Sequence, residues 1–175
     1  MNTHKSSIVV LIPCLNEEIT VGKVIKDFQK SIPEAQIIVF DNNSTDRTAS
    51  VAYKSGAKVE KELRPGKGHV MASMFRKVEA DYYVIVDGDD TYSAEHVRDL
   101  LKPVVDGSAE MSVAARLEDY TEQSFRKFHI FGNNLVRKLV NWIFHNNLTD
   151  IMSGYRVCSR ELIKAVPIFS TGFEV

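Results

Sequence analysis

The chain has 175 residues, 44% of them hydrophobic and 26% charged, which suits one soluble globular domain over residues 1–175 and argues against disorder. A formal net charge of -1 gives no global basic field for nucleic acid. Two cysteines, Cys14 and Cys158, without a CxxC pair, argue against a disulfide scaffold or a zinc site and point to a reducing, cytoplasmic setting.

In chain order, Met1–Ser7 is polar with no hydrophobic stretch behind it, so no signal peptide is expected. Ile8–Ile12 is a continuous apolar run ended by Pro13, the pattern of a strand buried on both faces. Asn16 followed by Glu17 and Glu18 predicts a capped helix with acids in its first turn. Its apolar residues Val21, Val24, Ile25 and Phe28 recur at helical spacing, and Pro33 marks the break. Gln36–Phe40 reads as a second strand ending in Asp41, and the polar turn Asn42–Asp46 leads into a helix through Tyr53 closed by Gly56. Ala57–Val59 is a short third strand. A glycine-rich loop, Arg64–Gly68, precedes a helix over Val70–Val78.

The fourth strand, Tyr82–Val86, runs into Asp87-Gly88-Asp89. Side chains at i and i+2 of extended chain share a side, so two carboxylates here repel unless a cation lies between them. A hard divalent ion such as Mg2+ or Mn2+ suits oxygen donors and is commonly shared with substrate phosphates. Gly88 leaves room for a ligand beside the backbone. A solvated acidic turn is the simpler alternative.

Ser93 is expected to cap a helix to about Leu101, broken at Pro103, and Met111–Ala115 reads as a fifth strand ending at Arg116. Thr121–Phe144 has helical periodicity, with Phe128, Phe131, Leu135, Leu139 and Trp142 on one stripe. A core-facing amphipathic helix is the default reading, and an interfacial, lipid-facing one is the alternative. Asn146–Asp150 breaks that helix and Ser153–Arg156 begins the last element. No apolar run approaches the ~20 residues of a membrane span. Gly172–Val175 reads as the start of a further element, so a C-terminal part is expected to be missing.

Strand and helix alternate over the first ninety residues, which predicts an α/β fold with a mainly parallel sheet flanked by helices. Ligands of such sheets bind beyond the strands' carboxyl ends. Pro13–Glu17, Asp41–Asp46 and Asp87–Thr91 all lie there.

With these pieces assembled, the chain resembles a family 2 glycosyltransferase domain of the GT-A (nucleotide-diphospho-sugar transferase) type. Within that family it is most similar to the dolichol- or polyprenyl-phosphate sugar synthases, such as dolichol-phosphate mannose synthase. The resemblance rests on Ile12–Glu18, Asp41–Ala49, Gly66-Lys67-Gly68, Asp87-Gly88-Asp89 and Met152–Tyr155. It implies that Pro13, Leu15, Glu17, Asp41, Lys67, Gly68, Asp87 and Gly88 bind the nucleotide. Lys67 would reach it from a mobile loop, and Asp41 would contact base or ribose, unless it merely starts a turn. Asp87 and Asp89 would hold the metal, with Asp89 also counted as catalytic. Family members often carry an amide two positions beyond the second Asp, where this chain has Thr91, so a third protein ligand is open.

The implied reaction is an inverting transfer of a sugar from a UDP- or GDP-sugar, with a divalent metal stabilising the leaving diphosphate. A phosphate monoester has a second pKa near 6 and attacks without a protein base, whereas a sugar hydroxyl needs a carboxylate. Arg116, Arg126 and Lys127 lie where the family binds its acceptor phosphate, with Arg137 and Arg156 as weaker candidates. Asp150 would position its loop or act as base. A polyprenyl or dolichyl phosphate acceptor at the cytoplasmic face of a membrane is the resulting expectation, with a sugar hydroxyl as the alternative. Asp87-Gly88-Asp89-Asp90-Thr91 also matches the DxDxT of haloacid-dehalogenase phosphatases, in which Asp87 would be the nucleophile. There the motif follows the first strand, and the downstream acidic pair is represented here only by Glu118-Asp119. A calcium-binding EF-hand is excluded, since Tyr92 and Arg98 fall where Gly and Glu are required. A fragment that binds nucleotide without turnover is the non-catalytic alternative.

Overall fold

The computed structural model describes residues 6–114, 153–168 and 172. Among those residues, six strands form one sheet in the order β3-β2-β1-β4-β6-β5. They are β1 Ile8–Cys14, β2 Gln36–Asp41, β3 Lys58–Lys61, β4 Tyr82–Ile85, β5 Met111–Val113 and β6 Arg156–Ser159. The helices are α1 Val21–Ser31, α2 Thr48–Lys54, α3 Lys67–Lys77, α4 Val97–Val105 and α5 Arg160–Ala165. β1 pairs in parallel with β2 and β4, and β2 with β3, while β6 runs antiparallel to both β4 and β5. The expected α/β, mainly parallel sheet is what the chain forms.

The apolar runs are continuous because both sheet faces are covered. Val10, Ile12 and Cys14 of β1 face α1 and α4, packing with Val24, Ile25, Phe28, Val97 and Leu101. Val9 and Leu11 point the other way, onto Val70, Met71 and Met74 of α3. The chain winds outward from β1 through β2 to β3, then returns to the opposite side of β1 as β4. That reversal opens a crevice beyond the carboxyl ends of β1 and β4, where ligands of such sheets bind.

Several local expectations need correcting. Asn16 does not cap α1. Its backbone is left-handed, at φ 58°, its N–H donates to Ser44 Oγ (2.9 Å), and its Oδ1 accepts from the Thr45 N–H (2.8 Å). Glu17 and Glu18 are likewise spent on the second loop, donating their N–H groups to Thr48 Oγ1 and Asp46 Oδ2, so α1 starts only at Val21, after Thr20. The same Asn-Glu-Glu signature that marks a cap here fastens two loops together. Ser93 accepts the Glu95 N–H at 3.2 Å, a local turn that precedes a helix starting at Val97. Pro103 lies inside α4 rather than ending it. Having no N–H, Pro103 withholds the helical bond to the carbonyl four residues before it, on exposed Asp99, where water has access. The predicted 121–144 helix and the end of the fifth strand at Arg116 lie outside the described residues. No helix among the described residues is long and apolar enough to cross a membrane.

Tyr155, 2% exposed, packs edge-on against Phe28 and Tyr92, with ring centroids 5.8 and 5.6 Å away. Its hydroxyl has no hydrogen-bond partner among the described residues. A buried unpaired hydroxyl costs about 1–3 kcal/mol. Tyr155→Phe is therefore expected to leave stability unchanged or raise it by about 1 kcal/mol, readable in a urea titration.

Candidate active site

At the crevice between β1 and β4 lies a cavity of about 250 Å³, walled by Pro13, Cys14, Leu15, Glu17, Asn42, Lys67, Val70, Asp87, Gly88 and Asp89. Of the residues expected to bind nucleotide or metal, Pro13, Leu15, Glu17, Lys67, Asp87, Gly88 and Asp89 are on this wall. Asp41 and Gly68 are not. Asp41 is 4% exposed, and its Oδ1 lacks a partner among the described residues. Gly68 is buried in α3 and donates its N–H to the Gly172 carbonyl at 2.8 Å. Arg116, Arg126, Lys127, Arg137 and Asp150 lie outside the described residues.

Lys67 is not in a mobile loop. It is the first residue of α3, and its Nζ lies 2.6 Å from Asp87 Oδ1. The loop before it is braced by Asn42, whose Nδ2 donates to the Glu62 and Arg64 carbonyls and whose Oδ1 accepts the Gly66 N–H. Gly66 adopts φ 116°, which a side chain would resist, and the helix begins at once. Asn42 thus uses its hydrogen-bonding capacity on the chain itself and shapes the wall.

Glu62 completes this brace. It is 6% exposed, and its carboxylate accepts from the Arg64 N–H, Nε and Nη2. The Arg64 guanidinium holds its pKa down to about 2, from 4.5. A folded-state value below the unfolded one means that this contribution is complete above 4.5 and is lost as pH falls through about 2. Glu62→Gln is expected to cost about 1–2 kcal/mol at neutral pH, discounted because Arg64 is half exposed. Urea titrations should show the difference from the native chain shrinking over that acid window.

A Cβ at Gly88 would stand 2.6 Å from Cys14 Sγ, so the glycine lets the thiol pack against this turn while Gly88 itself stays on the cavity wall. Gly154, from the Met152–Tyr155 motif, is closer still to the chemistry. Its Cβ would fall 2.0 Å from Asp87 Oδ2. The Asp87 carboxylate is thereby held on both sides, Oδ1 by Lys67 and Oδ2 against Gly154.

Among the described residues, the wall carries three carboxylates, Glu17, Asp87 and Asp89, against one ammonium, Lys67. Burial, then Asp89, Asp87 and Asp46, push the Glu17 carboxyl above its ordinary range, partly offset by the Thr20 hydroxyl bonded to it. Burial first, and then Glu17, Asp41, Asp87 and Asp46, push the Cys14 thiol far up, so it stays protonated. This excess of negative charge fits an added cation. Among the described residues, no cluster of three or more metal-ligating side chains is present. Asp87 and Asp89 on this wall are hard oxygen donors, which suit a divalent ion completed by phosphate or water, as is usual for Mg2+. Thr91 is not on this wall. It lines the neighbouring hollow between Lys23 and Glu95, and its N–H donates to Asp89 Oδ1 at 3.0 Å.

Cys14, Asn42, Val70 and Gly154 are the residues of this site to which the sequence alone assigns no part in it. Asn42 and Gly154 were detectable as an amide after a strand end and a small residue between two larger ones. Their partners lie far along the chain, and no local pattern reveals them.

Residues 9–166 match the family model described as Glycosyl transferase family 2. Protein RfbJ of Shigella flexneri is 45% identical over 126 residues, 72% of this chain and 98% of that protein. The low-salt glycan biosynthesis hexosyltransferase Agl6 of Haloferax volcanii is 34% identical over 94% of this chain, which spans 41% of its length. The dolichyl-phosphate hexose transferase of the same organism is 26% identical over 89% of this chain and 68% of its own. Glucosyl-3-phosphoglycerate synthase of Mycobacterium tuberculosis, solved with Mn2+, UDP-glucose and phosphoglyceric acid, superposes with a TM-score of 0.78 at 27% identity. That match covers 95% of this chain and 61% of the synthase.

Proposed function

The chain belongs to glycosyl transferase family 2 and has a GT-A-type fold, and on that premise we propose that it moves a hexose from a nucleoside-diphosphate sugar to a polyprenyl or dolichyl phosphate. The observation that carries the donor half is the cavity at the β1–β4 crevice, where Glu17, Asp87 and Asp89 outnumber Lys67. Pro13, Leu15 and Val70 offer apolar surface to a planar base, and Glu17 offers a carboxylate to ribose hydroxyls. Asp41, which is buried and off that wall, keeps base or ribose as its proposed contact through the oxygen left unpaired among the described residues.

Asp87 and Asp89 would hold Mg2+ or Mn2+. When bound, the ion supplies Lewis-acid stabilisation of the charge that grows on the leaving diphosphate. Lys67, at the start of α3, adds a fixed positive charge beside the same phosphates. An acceptor oxygen forms a bond to the anomeric carbon as the bond to the diphosphate oxygen breaks, which inverts that centre. Support for a lipid phosphate acceptor comes from similarity to a dolichyl-phosphate hexose transferase. Arg116, Arg126 and Lys127 are assigned to its phosphate, and Asp150 to loop positioning. The protein would then work at the cytoplasmic face of a membrane.

The phosphatase alternative loses its basis. The family to which the chain belongs is one of transferases.

The test is incubation of labelled UDP- and GDP-hexoses with polyprenyl phosphate and Mn2+. Label should enter the organic phase, and Asp150→Asn should retain substantial activity. Transfer only to sugar hydroxyls, lost in Asp150→Asn while nucleotide binding persists, would replace the lipid phosphate with a hydroxyl acceptor. Nucleotide binding with no transfer to either would support the non-catalytic fragment.

A further inference from the structure

The turn that carries Asp87 and Asp89 is fastened at both of its ends to one residue. At its start, the Asp87 carboxylate packs so closely on Gly154 that a Cβ there would lie 2.0 Å from Oδ2. At its end, Tyr92 Oη accepts the Gly154 N–H at 2.8 Å and the Ser153 hydroxyl at 3.3 Å. Tyr92 is 8% exposed, and its ring stacks edge-on against Tyr155. The Ser153-Gly154 backbone is itself fixed. Ser153 is 1% exposed, its Oγ accepts the Tyr155 N–H at 3.2 Å, and its carbonyl accepts Arg156 Nε at 3.0 Å. Between the two fastenings stands Asp89, exposed at the apex, with Thr91 N–H on its Oδ1. Asp90, beside it, is held left-handed at φ 62° and salt-bridged to Lys23 at 2.6 Å.

We propose that Tyr92 is a positioning residue, whose hydroxyl fixes the turn against Gly154 and so sets where the Asp87 and Asp89 carboxylates stand relative to each other. This rests on the donor-site reading above. A partner bonded directly to a metal ligand is commonly worth roughly 10- to 100-fold in metal affinity, and Tyr92 acts one contact further back, through Gly154, so the lower end of that range is expected. Only the hydroxyl matters in this account, since the ring alone would fill the core.

The fold supplies its own control. Tyr155 belongs to the same aromatic cluster, but its hydroxyl bonds nothing among the described residues. Tyr92→Phe and Tyr155→Phe each remove one oxygen from neighbouring buried rings. Both variants should stay folded, as urea titration will check. Mn2+ titration followed by electron paramagnetic resonance, with UDP present, should show binding weakened about tenfold in Tyr92→Phe and unchanged in Tyr155→Phe. Hydrogen exchange at the Gly154 amide should quicken in Tyr92→Phe alone. Equal Mn2+ affinity in the two variants would overturn the inference, as would a weakening of equal size in both. A native chain that binds no Mn2+ at all would overturn the donor-site reading, and the inference with it. Gly154 exchange would still report whether the fastening exists.

Discussion

Asp89→Asn should abolish metal-dependent nucleotide binding while leaving the fold untouched. Asp89 is exposed at the apex of its turn, and its described hydrogen bond is from the Thr91 N–H to Oδ1. An asparagine carbonyl oxygen can accept that same bond, so unfolding free energy should change by no more than about 0.5 kcal/mol. The charge, in contrast, is indispensable. Asp87 already has one oxygen on Lys67 and the other against Gly154, which leaves Asp89 as the less encumbered donor for a cation. Losing a charged ligand should weaken Mn2+ binding by at least the roughly 100-fold that losing a partner behind a ligand can cost. Titrations of Mn2+ and of UDP in the presence of Mn2+, alongside a urea titration, separate the two effects. A variant that binds Mn2+ as the native chain does would remove Asp89 from the site.

The second large effect is expected at Gly154. The glycine is required for space, since its φ is not among the positive ones. An alanine Cβ would sit 2.0 Å from Asp87 Oδ2 and 2.7 Å from its Cγ. Something must move, and each partner is held. The Gly154 N–H is on Tyr92, and Asp87 is on Lys67. Gly154→Ala should therefore cost about 1–3 kcal/mol as an overpacked site and remove nucleotide binding with it. Adding Asp87→Ala relieves the clash, so the double variant should regain stability in urea and still fail to bind UDP. Recovery of binding in the double variant would show that Asp87 is not part of the donor site.

Much of the architecture was legible because burial on both sheet faces leaves unbroken apolar runs. Ile8–Ile12 and Gln36–Phe40 could be read as strands without knowing their neighbours. The cavity was legible for a related reason, since polar residues at strand ends have few other reasons to interrupt such runs. What escaped were contacts between loops. Asn16 carries the chemistry of a helix cap, and a long-range bond to Thr45 outcompetes that role. Gly66-Lys67-Gly68 has the composition of a flexible loop, yet Asn42 pins Gly66 and the helix absorbs Lys67. Gly88 is on the cavity wall as expected, and the packing of the Cys14 thiol against it is a contact that its sequence neighbours do not show. The bond between Gly154 and Tyr92 joins residues 62 positions apart, which no local pattern encodes.

The central claim is that the β1–β4 crevice binds a nucleoside diphosphate through a divalent cation held by Asp87 and Asp89. Calorimetric titration of UDP and of GDP into the protein, with Mn2+ and again with the metal chelated, tests it most directly. One nucleotide should bind with Mn2+ present, and the heat should vanish on chelation and in Asp89→Asn. Absence of binding by either nucleotide in the presence of Mn2+ would contradict the account, as would binding indifferent to both the metal and Asp89.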